Sequence, residues 1–148
     1  MIQNLDLPYY EHSIKKINKK LYIFDTIRRK YVLLTPEEWV RQQIICWLSK
    51  EHQYPKSLMQ VEKGHYYNKK VAKRTDIVIF NKIGEPFMLV ECKASDIEIT
   101  EKTLWQATLY NQTIGAKFIL LTNGVSFCLC SVENGKIKFY EEIPAIEV

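Results

Sequence analysis

At 148 residues, 47% of them hydrophobic, the chain is long enough for one domain with a substantial core and too short for two of ordinary size. No apolar run nears the roughly 20 residues of a membrane span, and the opening MIQNLDLPYYEHSIKK lacks the apolar centre of a secretory signal, so a soluble cytoplasmic protein is expected. The net charge of +4 is modest, but basic residues clump at Lys15-Lys16, Lys19-Lys20, Arg28-Arg29-Lys30, Lys69-Lys70 and Lys73-Arg74, which suits release of several counterions from a phosphate backbone or, more plainly, solvated turns and protected strand edges.

Residues 1–35 alternate basic turns with two apolar pieces, 21–24 and 31–34, and read as a two-strand hairpin. Thr35-Pro36-Glu37-Glu38 then carries a full helix start, with threonine as N-cap, proline at the first helical position and glutamate three after the cap. Val40, Ile44, Trp47 and Leu48 follow at helical spacing, so a helix is expected from 36 to about 51. Tyr54-Pro55 breaks it. A strand is expected over 58–66, and Asp76-Ile77-Val78-Ile79-Phe80 is a second, β-branched and covered on both faces. Asn81 to Gly84 turns the chain into a third over 87–93.

Thr100 and Thr103 are candidate caps for a helix over 104–114, with Gly115 in the terminating left-handed position. Residues 118–122 form an apolar strand, and Asn123-Gly124 and Asn134-Gly135 mark tight turns on either side of 125–132. The expected fold is therefore α/β (α+β), a single domain with a mixed sheet flanked by helices and a parallel crossover through the second helix. It divides into a hairpin region (1–35), a core (36–122) and a closing β-meander (123–148).

The chemistry concentrates on few residues. Glu91 and Lys93, two apart on a strand, share a face, and a turn near Gly84 brings Asp76 back toward Glu91. Two carboxylates and an amine at one sheet end suit Mg2+-assisted phosphodiester hydrolysis; a cross-strand ion pair beside an ordinary turn acid is the plainer alternative. Cys46, Cys92, Cys128 and Cys130 lack zinc spacing and read as small buried thiols. The scattered His12, His52 and His65 are assigned no chemistry, and core packing accounts for Trp39, Trp47 and Trp105. With no G-x-x-x-x-G-K-[ST] loop, the chain holds no ATP site of that kind.

Thr75-Asp76-Ile77-Val78, then Val90-Glu91-Cys92-Lys93, then Gln106-x-x-x-Tyr110 resembles the PD-(D/E)xK nuclease superfamily, and more narrowly a stand-alone version of the N-terminal nuclease domain of type I restriction enzyme R subunits. Thr35 to Gln42, Tyr54-Pro55-Lys56, Glu62, Lys73-Arg74 and Thr122-Asn123-Gly124 extend the likeness over roughly residues 20–132. The resemblance implies a restriction-endonuclease-like fold and a metal-dependent DNA endonuclease. Asp76 and Glu91 match its metal acids, Lys93 its catalytic lysine and the Cys92 carbonyl a further metal ligand. Thr75 replaces the proline of its name, a widely tolerated change. Glu38 is the nearest match to a first-helix metal-site glutamate, although a helix cap explains it equally well. Gln106 and Tyr110 match a helix pair beside the DNA, and Lys73 and Arg74 join them as expected nucleic-acid contacts. The implied cofactor is Mg2+, with Mn2+ as a substitute. The implied partners are DNA, motor or specificity subunits of a restriction system, and a second copy of the chain. A catalytically silent nucleic-acid-binding or assembly module of the same fold, and a structure-selective repair nuclease, are the rival readings.

Overall fold

In the computed structural model, which describes residues 5–62, 66–67, 70–71 and 76–146 (backbone alone at 62, 66–67, 70–71 and 76), the capped segments form helices and the apolar runs strands. The chain opens with β1 (Ile14–Ile17), β2 (Lys20–Asp25) and β3 (Lys30–Leu33), an antiparallel sheet in that order. Helix α1 (Pro36–Glu51) follows, then β4 (Met59–Glu62), the short β5 (Tyr66–Tyr67) and β6 (Lys70–Val71), β7 (Asp76–Phe80) and β8 (Pro86–Cys92). Helix α2 (Glu101–Ile114) leads into β9 (Phe118–Thr122), β10 (Phe127–Glu133) and β11 (Lys136–Tyr140).

The α/β architecture is the expected one: a mixed sheet of order β11-β10-β9-β8-β7-β4, in which β8 and β9 run parallel and the other neighbours antiparallel. Helix α1 starts where the sequence signals it, with the Thr35 hydroxyl accepting from the Glu38 amide. Helix α2 starts earlier than 104 because Thr100 and Thr103 form one reciprocal capping box, which places three more residues inside the helix.

Three expectations need correction. The N-terminal hairpin is a three-stranded sheet, because Asn18 and Lys19 adopt positive φ (50° and 67°) and make a two-residue turn that pairs β1 with β2. The strand expected over 58–66 ends at Glu62, with a separate two-residue strand at 66–67. Trp105 is 61% exposed, since α2 buries the face carrying Ala107, Thr108 and Tyr110 and turns Trp105 away from it.

The two helices cover opposite faces of the large sheet. Val40, Ile44, Ile45 and Leu48 of α1 pack with Ile77, Val90, Cys92, Leu120 and Leu129. On the other face Tyr110 of α2 packs with Val78 and Leu89, and Ala107 with Ile119 and Cys130. Strand alternation separates the two sets, and residues 78, 89, 119 and 130 form one continuous row across four strands. Near-complete burial on both faces explains why β7, β8 and β9 lack a polar-apolar alternation. Among the described residues no helix is long and apolar enough to cross a membrane.

The Leu120 side chain is fully buried in the α1-side core. Leu120→Ala should lower stability by about 2–5 kcal/mol in a denaturant titration, through lost transfer energy and the cavity left behind.

Candidate active site

The strand ends nearest the C-terminus of β8 carry the polar residues singled out by the sequence. Ile77 pairs with Val90 and Val78 with Leu89, so one further step along the same antiparallel register sets position 76 opposite 91. On its other side Asp76 pairs with Glu62 of β4. Positions 62, 76 and 91 therefore occupy one cross-strand row of the backbone. Glu91 lies on the α2 side, the face of Val78 and Leu89.

Glu91 is 2% exposed, and the Lys93 ammonium stands 3.3 Å from its Oε1. A carboxylate this deep needs a countercharge, because stripping its water is expensive. Lys93 supplies one while keeping a quarter of its own side chain open to solvent. The residue two along the strand thus joins an interior anion to the surface.

The backbone at Lys93 is held by the end of β9. Its amide donates to the Thr122 carbonyl at 2.8 Å. Thr122 in turn uses its hydroxyl on both the Ser126 carbonyl and the Gly124 amide, while the Asn123 carboxamide accepts from Val125 and Ser126 and donates to the Ile97 carbonyl. The Thr122-Asn123-Gly124 turn therefore ties the loop after β8 to the closing meander, a positioning role that the turn motif alone did not reveal. Gly124 has φ +84°, and Leu5 lies 2.9 Å from where a Cβ would sit, so a side chain there would meet both backbone strain and the N-terminal segment.

Other candidates are placed elsewhere. Glu38 belongs to α1, the helix on the opposite face, and its 5% exposed carboxylate is bound by Arg28 through Oε1 and by Arg41 and Gln42 through Oε2. The second arm of the expected capping box is replaced by this guanidinium cage. Arg28 also binds the fully buried Asp25. Tyr110 is 1% exposed among Val78, Leu89 and Ala116, so its ring face is closed to a base, whereas Gln106, one turn earlier, is exposed. Cys92 directs its thiol into the α1-side core, leaving only its main chain on offer. Lys73 and Arg74 lie outside the described residues. All four cysteines are free thiols, and burial pushes that of Cys130 up to about 12.

Carboxylates are hard oxygen donors of the kind Mg2+ prefers, and the residue types at positions 62, 76 and 91 are of that kind. Among the described residues no group of three or more His, Cys, Asp or Glu side chains could hold a metal. Reasoning from sequence missed the tie of Arg28 to Glu38, ten positions away in another element, and, although it counted Glu62 in the likeness, also missed the pairing of that position with 76, which depends on the β4–β7 register.

A family model described as type I restriction enzyme R protein N terminus matches residues 36–144. No curated protein matches the chain.

Burial alone would raise the Asp25 carboxyl, but hydrogen bonds from the Arg28 side chain and the Arg28 and Ile27 amides, with the Arg28 charge, outweigh it and hold the group below its ordinary value. A lowered folded pKa adds stability that is complete above the unfolded value of about 3.9 and is lost as pH falls through the folded one. Asp25→Asn should therefore lower the denaturant midpoint at neutral pH, and the gap to the parent should narrow below about pH 4. A gap unchanged down to about pH 2 would contradict this coupling.

Proposed function

The chain belongs to the family of type I restriction enzyme R protein N termini, and from that premise we propose that it is a metal-dependent endodeoxyribonuclease of PD-(D/E)xK type. The observation that carries the reading is the antiparallel pairing of Ile77 with Val90, whose next step sets position 76 beside Glu91, together with Lys93 against Glu91. A buried carboxylate and a lysine one-quarter open to solvent at the end of a central strand serve no packing need that apolar residues would not meet better.

In this reading Asp76 and Glu91 hold Mg2+, with the Cys92 carbonyl as a further ligand and Mn2+ as a working substitute. The ion, when bound, draws charge from a phosphate oxygen and offsets the two acids. Lys93 orients the attacking water and neutralises negative charge gathering on phosphorus. Water adds its oxygen to phosphorus in line with the departing sugar oxygen, the P–O bond breaks, and a proton ends on the leaving oxygen. Glu91 holds the Lys93 ammonium in position at 3.3 Å. Gln106, exposed on α2, and the basic pair Lys73-Arg74 are assigned to the DNA backbone. Tyr110 packs the helix that carries Gln106.

Glu38 is given the role of a strut between α1 and the N-terminal sheet, because both of its oxygens are occupied by guanidinium or amide groups. ATP-driven translocation and sequence choice would come from other subunits of a restriction system, the context the family indicates.

Lys93→Ala and Asp76→Ala should each abolish Mg2+-dependent nicking of supercoiled DNA while circular dichroism shows an unchanged fold. Retention of parental nicking by either variant would refute the assignment. A parent that binds DNA but leaves it intact with Mg2+ and with Mn2+ would instead favour a silent module of the same fold.

A further inference from the structure

Residues 14–31 contain seven Lys or Arg against the single acid Asp25, a local charge of +6 in a chain whose total is +4, so everything outside this segment sums to −2. Asp25 is fully buried and bound by Arg28, and does nothing to neutralise the surface. The segment forms the three-stranded sheet, and it precedes residue 36, where the family match begins. It lies outside the matched region.

The two faces of this sheet differ. Ile14, Ile23 and Val32 form one cross-strand row that packs inward with Leu34 and Trp39. The outward rows hold Lys15, Tyr22 and Leu33, then Phe24 and Tyr31, with Lys20 beyond. Phe24 and Tyr31 meet edge to face at 5.2 Å, and the Lys15 ammonium lies 3.9 Å over the Tyr31 ring. Tyr22, Phe24 and Tyr31 are half-buried, while Lys15, Lys19 and Lys20 are exposed.

We propose that this outward face binds single-stranded nucleic acid, stacking unpaired bases on Tyr22 and Phe24 and pairing phosphates with Lys15, Lys19 and Lys20. The interleaving of rings with lysines decides between strands and duplexes. A duplex offers phosphates but hides its base faces, so the aromatic rows would have nothing to stack upon. An unpaired strand offers both, and stacking tolerates any base. Lys15 is free to exchange the Tyr31 ring for a phosphate, since an exposed cation–π contact is weak. The rigid mounting follows from the inner face, where Asp25 and Arg28 anchor the sheet to Glu38 of α1. The proposal needs no metal and no cleavage.

The test is fluorescence anisotropy of the full chain with a labelled single-stranded oligonucleotide and its duplex, both in EDTA. The single strand should bind at least about 10-fold tighter than the duplex at equal salt, with Tyr22→Ala weakening it about 10-fold and Tyr22→Phe restoring it. Lys15→Glu with Lys20→Glu should flatten the salt dependence by about 1.4 in the log–log slope. The readout is binding in EDTA, where no cleavage occurs, which separates failure here from failure of the nuclease reading. Equal affinity for duplex and single strand, or indifference to Tyr22→Ala in a protein with parental thermal stability, would overturn the proposal.

Discussion

A carboxylate placed near the middle of a six-stranded sheet, 2% exposed, must be given a countercharge or lose its charge, and this constraint organises one end of the protein. Lys93 meets it from the first position past the end of β8, at 3.3 Å. For that pair to form, the strand has to end there, so that the lysine reaches water while the glutamate stays inside. The polar end is built around that need: the Lys93 amide is caught by the Thr122 carbonyl, and the Asn123 side chain secures the following loop at Ile97. The apolar length of β8 supplies stability, and the charged pair sits where that length ends.

A second set of charges solves a different problem. The N-terminal sheet buries only a small apolar face, formed by Ile14, Ile23 and Val32 against Leu34 and Trp39. Asp25, Arg28, Glu38 and Arg41 add a chain of charge-assisted hydrogen bonds beneath it. Asp25, Arg28 and Glu38 bind one another in series and Arg41 holds Glu38 through one guanidinium nitrogen, so removal of one leaves another buried and unpaired, which is costly. The bonds favour one orientation of sheet on helix, where an apolar contact would tolerate sliding. That rigidity allows a strongly basic surface to be presented in a fixed direction relative to the core.

The opposition of the two helices gives the molecule its division of labour. Helix α1 packs on the face of Val90 and Cys92, whereas α2 packs on the face of Leu89, which is also that of Glu91 and Lys93. A crossover helix between parallel strands runs back along the sheet, so the turn carrying Gln106 lies nearer the polar strand ends than the turn carrying Tyr110. Membership in a restriction-enzyme family accords with a nucleic-acid role, and under the proposed function the row of positions 62, 76 and 91 is where a phosphodiester would be cut.

Several features were legible from residues alone because their causes are local. The Thr35 cap and Pro36 determine where α1 begins, the β-branched run at 76–80 and the apolar run at 118–122 leave no choice but buried strands, and the two-residue spacing of Glu91 and Lys93 puts them on one face. The first strand escaped notice because its turn, Asn18-Lys19, relies on positive φ at a lysine, which composition does not advertise. What the sequence by itself determined was the element order, the helix starts and the pairing of an acid with a lysine. Tertiary structure decided that Glu62 joins the row of Asp76 and Glu91, that Arg28 and Arg41 claim Glu38, that Tyr110 is enclosed and that Trp105 is not. Those outcomes depend on strand register and on which helix covers which face, and both are settled by contacts between segments far apart in the chain.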